Sequence, residues 1–156
     1  MSDKRKSSRR MLLLGVLLLI CAAVWTFFKL AAPEAKPIAG GSNSERTAYL
    51  ESLGWETAPV PCEQCNVRIP MKFDESYEEY NEIQLKQGFD LRKYRAQTAK
   101  KFTYELTNYS DNGEQSPVPV YAELLVLDGI IIGGNIRSAE AGGFVTVLNK
   151  PLGFDS

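Results

Sequence analysis

The thiols of Cys62-Glu63-Gln64-Cys65 are the one local arrangement in this sequence with a chemical reading. Two cysteines separated by two residues can exchange disulfides, close a small structural disulfide, or supply half of a zinc site. Redox use needs the first thiol ionised by a helix N-terminus or a nearby cation. Here Pro61 precedes the motif, extended chain follows it, the next helix start is at Asp74, and Glu63 opposes ionisation. On a fully extended chain the two Cα atoms stand about 10 Å apart, beyond the roughly 4.4–6.8 Å of a disulfide, and a local turn is needed to close the gap. Plain thiols, a structural disulfide and a redox pair all remain open for Cys62 and Cys65. Zinc is the weakest reading, since the pair supplies half the ligands of a site and the chain contains no histidine to complete it. That absence also removes the commonest general base and the Ser-His-Asp and Cys-His arrangements. No catalytic, cofactor-binding or metal-ligating set is expected, and the chain reads as a non-enzyme.

Other polar clusters have simpler explanations. Glu75, Glu78, Glu79 and Glu82 fall at helical spacing, where they make a solvated stripe that favours the helix dipole. Carboxylates on a helix cannot wrap a cation as a looped calcium motif does. Arg92, Lys93, Arg95, Lys100 and Lys101 follow directly and are read as partial charge partners of that stripe. Gly133-Gly134 and Gly142-Gly143 lack the strand-to-helix setting of a phosphate loop.

The elements that must position these residues divide the chain in four. Residues 1–10 carry Lys4, Arg5, Lys6, Arg9 and Arg10 against Asp3. Residues 11–30 (MLLLGVLLLICAAVWTFFKL) hold no charge from Met11 to Phe28. At about 1.5 Å per residue, a helix of this length spans the roughly 30 Å hydrocarbon core of a bilayer. The basic N-terminal flank predicts a cytoplasmic N-terminus by the positive-inside rule. Cleavage of the segment, or lipidation at Cys21, are the alternatives, and each still leaves the rest outside the cytoplasm. Residues 31–43 mix Pro, Gly, Ser and Ala as a flexible spacer. Residues 44–156 carry 11 Lys and Arg against 17 Asp and Glu. An acidic domain of that kind argues against nucleic acid as a partner.

Within that domain, Ser44–Leu53 reads as a helix capped by Ser44, with Gly54 ending it and Trp55 packing back as core. Residues 57–69 are extended, with Pro59 and Pro61 confining them to an edge strand. Asp74 caps a second helix running to Gln87, with Phe73, Tyr77, Tyr80 and Ile83 or Gln84 on one face. From Phe102 the period becomes two, and Val118–Leu127 suits a central strand. Asp128-Gly129 signals a hairpin to Ile130–Ile136, Gly133-Gly134 a bulge, and 144–148 a last short strand. The expected fold is α+β: two N-terminal helices packed on a C-terminal antiparallel meander of three to four strands, preceded by one transmembrane helix.

Four blocks carry a family resemblance: TAYLESLGWE (47–56), VRIPMKFDESYEEYNEIQLKQGFDLRKYR (67–95), FTYELTNY (102–109) and VYAELLVLDGIIIGGNIRSAEAGGF (120–144). They resemble domain-of-unknown-function family 4830, over about residues 46–148. The resemblance implies a small membrane-anchored or exported protein of a Gram-positive bacterium, with an extracytoplasmic α+β domain and no established catalytic residues. This chain departs from the pattern at Cys62 and Cys65, where ordinary strand residues are expected. It also reads GFVTVL at 143–148, without the histidine that follows the Gly-Phe pair in relatives. The function expected is a membrane-anchored, non-enzymatic binding or accessory module whose partner is another envelope protein or a cell-wall component. The alternative is a thiol-disulfide protein using Cys62 and Cys65.

Overall fold

An uninterrupted apolar run, Leu124-Leu125-Val126-Leu127, needs cover on both sides, and the structure gives it a central place in a two-faced sheet. The computed structural model describes residues 36–111 and 114–150. The basic tail and the expected membrane span at 11–30 lie outside the described residues. Among the described residues, no helix is long and apolar enough to cross a membrane.

The strands are β1 (Ile38–Ala39), β2 (Glu63–Arg68), β3 (Thr98–Glu105), β4 (Ser110–Asp111), β5 (Glu114–Gln115), β6 (Val120–Leu127), β7 (Ile130–Ser138) and β8 (Val145–Thr146). The helices are α1 (Asn43–Ser52) and α2 (Glu75–Leu85), with a 3-10 turn at Leu91–Tyr94. Six strands form one antiparallel sheet in the order β1-β7-β6-β3-β2, with β8 also on β7; β4 and β5 pair separately.

This arrangement overturns the expected fold class. The helices do not both precede a meander of three to four strands. β1 comes before α1, inside the stretch 31–43 read as spacer, and β2 lies between the helices and pairs with β3. The protein is strand-rich, and the helices cover opposite faces of the sheet. On one face Leu50 of α1 and Trp55 join Phe102, Tyr104, Ala122, Leu124, Ile136 and Leu148. On the other, Phe73, Tyr77 and Tyr80 pack over Ile69, Leu91, Ala99, Leu125 and Ile132. Alternation along β6 explains the division, since Leu124 and Leu125 must point opposite ways.

Local chemistry fixes the ends. The cap of α1 is Ser42, not Ser44: Ser42 Oγ accepts the Glu45 N–H at 3.2 Å, while the Glu45 carboxylate accepts the Ser42 N–H at 2.8 Å. Only Ser42 has an acid three residues on, which completes a reciprocal capping box. Asp74 caps α2 as expected, accepting from the Tyr77 N–H at 2.9 Å. Asp128 (φ 50°) and Gly129 (φ 78°) both take left-handed conformations, the pairing a two-residue I′ hairpin turn requires. The expected bulge is present: Leu125 faces Gly133 while Val126 faces Ile131, leaving Ile132 as the extra residue.

The outer edge of β7 is shared. β1 pairs with Ile130 and Ile131, and β8 with Ile136 and Arg137. Between them, side-chain amides of α2 and its following residues stand in for a strand. Gln84 Oε1 accepts the Gly134 N–H at 2.8 Å, and Gln87 Nε2 donates to the Gly134 C=O at 3.0 Å. Gln87 Oε1 in turn accepts the Leu148 N–H at 2.7 Å, tying down the segment after β8. Gly134 is required by close approach, because a Cβ there would lie 2.6 Å from the Glu123 carbonyl oxygen.

Candidate functional site

The opposite edge of the sheet is open. β2 pairs with β3 alone among the described residues. The Ile69 N–H donates to the Gln97 C=O at 2.9 Å, so by antiparallel alternation the odd-numbered residues of β2 bond to β3. The N–H and C=O groups of Gln64, Asn66 and Arg68 then face outward, and all three residues are exposed. Pro61 and Pro70 bracket this row, which confirms the edge placement their positions imply.

Both sequence-predicted site residues lie here. Cys62 and Cys65 are free. Cys62 is exposed at the entry to β2, its Sγ–H donating to the Thr103 backbone C=O at 3.3 Å. Cys65 is half-buried on the α2 face, directly across from Lys101. The extended backbone of β2 holds the two thiols apart, and the next helix begins only at Glu75.

Behind the edge the sheet carries a charged network. Glu63, Thr103, Glu123 and Asn135 stand abreast on four successive strands. Glu123 is buried and accepts through Oε1 from Lys101 Nζ at 3.0 Å and Arg137 Nε at 2.8 Å. Its Oε2 accepts from Asn135 Nδ2 at 3.3 Å, and Asn135 Oδ1 accepts from the Tyr80 hydroxyl at 2.9 Å. Burial alone raises the Glu123 carboxyl, but the bonds from Arg137 and Lys101 outweigh it and hold the group below its ordinary range. Arg137 is held protonated by the same carboxylate, against its own desolvation. Burial pushes the Tyr80 phenol far above its usual range, and the Glu123 and Tyr77 charges add to this. Glu123 is therefore a committed anion and Tyr80 a committed donor at neutral pH. The network is built to hold α2, β3, β6 and β7 in register behind β2, not to shuttle protons.

Sequence reasoning passed over Glu123, although an acid inside the strand pattern AELLVL of a central strand is itself a signal. It read Lys101 as a charge partner of the acidic helix, whereas Lys101 serves Glu123. The Arg92 ion pair with Glu78 does follow that reading. Two further polar residues of α2 are buried: Gln84, one of the two candidates for the inward face, and Asn81, which nothing marked. Asn81 Oδ1 accepts the Leu91 N–H at 2.8 Å, and Gln84 fills the gap at Gly134.

A second surface feature lies at the far end of the sheet. Tyr109 stacks between Trp55 (6.1 Å) and the exposed Phe144 (5.8 Å). Tyr109 also lines a recess of about 140 Å³ with Glu105, Ser116 and the turn Pro117–Val120. Trp55 is core, as its position after α1 implies, its indole N–H donating to the Leu148 C=O at 2.6 Å.

The sequence profile of one family matches residues 49–136, a range that holds β2, α2, most of β7 and the Glu123 network apart from Arg137. Comparison with curated proteins and with solved structures found no match. The matched range covers more than half of the chain, so the chain belongs to the family described as domain of unknown function DUF4830.

Proposed function

We propose that this protein is a non-enzymatic binding module of the cell envelope, held at the outer face of a membrane by the apolar stretch 11–30. The module docks an extended segment of another envelope protein along β2. The observation that carries this reading is the unpaired row of backbone groups at Gln64, Asn66 and Arg68, presented by a strand whose other side is locked to β3. A partner strand laid along such an edge gains main-chain hydrogen bonds, while side chains on alternate sides select it. Prolines on both flanks limit the docked segment to about six residues. The polar side chains of the row keep the edge from pairing with apolar strands indiscriminately.

Site-specific photocrosslinking in intact cells tests the assignment. A photoreactive residue at position 64 or 66 is expected to capture one envelope protein, while the same residue at the exposed position 79 on α2 captures none. Equal capture at all three positions, or none at 64 and 66, overturns it.

A further inference from the structure

We infer that β2 and a Cys62–Cys65 disulfide exclude one another, so that oxidation of this pair withdraws the docking edge. The inference rests on the reading of β2 as that edge and adds its control. Three extended residues place the two Cα atoms about 10 Å apart, and a disulfide tolerates at most about 6.8 Å. Closing the bond requires a turn at Glu63-Gln64, which breaks the pairing of Glu63 with Thr103 and of Gln64 with Phe102. It also removes the Cys62 contacts to the Thr103 C=O, made through both its N–H (2.9 Å) and its Sγ–H (3.3 Å). Gln64 is one of the three outward-facing residues, so the edge loses its first docking position.

Exposure sets the order of the chemistry. Cys62, exposed, attacks a low-molecular-weight disulfide, forming a mixed disulfide and expelling one thiol. Half-buried Cys65 then attacks Cys62 Sγ as the strand end opens, expelling the second thiol. The two cysteine thiols give up two protons and two electrons, and the small disulfide is reduced to two thiols. The rest of the sheet stays intact, because Val67 and Ile69 remain bonded to β3 beyond the turn and the Glu123 network lies on β3, β6 and β7.

The test uses the full-length chain in detergent, treated with oxidised glutathione. The expected result is a mass lower by two hydrogens, with amide exchange at Cys62, Glu63 and Cys65 and at Thr103 accelerated by about tenfold or more. Exchange at Ile136 stays unchanged, and Cys65→Ser shows no acceleration. A closed disulfide with protection at Cys62, Glu63 and Cys65 retained overturns the inference. So does glutathione that caps Cys62 and is never displaced by Cys65. The exchange experiment does not depend on any partner. If photocrosslinking at position 64 fails in both redox states while exchange responds as expected, the docking reading falls and the mutual exclusion stands.

Discussion

Replacing Glu123 with Gln keeps the shape of the side chain and removes its charge, leaving Lys101 and Arg137 facing each other across β6. The cost follows from the geometry. Glu123 accepts two charge-assisted hydrogen bonds, and its side chain is 11 % exposed, against 22 % for Lys101 and 30 % for Arg137. Removing one member of a fully buried pair costs about 3–5 kcal/mol, and partial exposure of the two cations lowers this to about 2 kcal/mol. With a urea slope of roughly 1–1.5 kcal/mol/M for a domain of this size, the midpoint should fall by about 1.5 M. Residues 37–156 suit the assay, since Trp55 is their sole tryptophan and is buried. The pH dependence has a definite sign. The folded-state value of Glu123 lies below its unfolded value of 4.5, so its contribution is present above that value and lost as pH falls through the folded one. Wild type and Glu123→Gln should therefore differ fully at pH 7 and converge in acid once the carboxyl is protonated. A variant within 0.5 kcal/mol of wild type at pH 7, by the same urea titration, refutes the reasoning. A gap that persists unchanged in acid does so too, because it assigns the loss to packing instead of charge.

Other substitutions separate the remaining claims. Gly134→Ala places a Cβ 2.6 Å from the Glu123 carbonyl oxygen and 2.7 Å from Leu148 Cδ1, and should cost about 3 kcal/mol, read as a fall in melting temperature. Gln84→Ala leaves the Gly134 N–H without its acceptor and should cost about 1–3 kcal/mol, with faster amide exchange at Gly134 as the local signature. Asn66→Pro removes only an outward N–H and should unfold within about 1 kcal/mol of wild type, while Val67→Pro deletes a bond to β3 and should cost about 3 kcal/mol. Equal melting temperatures for these two variants would show that the parity assigned to the edge is wrong.

Much of the local structure was legible because single residues dictate it. Asp74 with Phe73 before it and Asp128-Gly129 each impose a backbone geometry whatever surrounds them. The topology was not legible. β1 is two residues long, too short to show any period, and is a strand only because β7 lies beside it; β8 falls inside the short strand expected at 144–148, but its pairing with β7 was not foreseen. The place of β2 was visible as an edge from its prolines, but nothing local says that it joins β3 from between the helices. The inward place of Asn81 and Glu123 was missed, and that of Gln84 left open against Ile83, for one physical reason. Asn81, Gln84 and Glu123 look like surface residues by type, and burial becomes tolerable only through partners on distant strands or loops: Leu91, Gly134, Lys101 and Arg137. The same holds for Arg46, which is buried against the Phe102 ring at 3.6 Å and donates to Tyr104 and to the Gly40 carbonyl.

The glutamine plug at Gly134 has a consequence for assembly. Growth of a ribbon by strand addition needs two receptive sides on every unit, one to receive and one to offer. Among the described residues the one long open edge is β2, since the other side ends in the two-residue strands β1 and β8 and the amides of Gln84 and Gln87. A strand that joins at β2 finds no edge of comparable length on the other side. Two copies can meet through that side, while the two-residue strands opposite give a third little backbone to pair with.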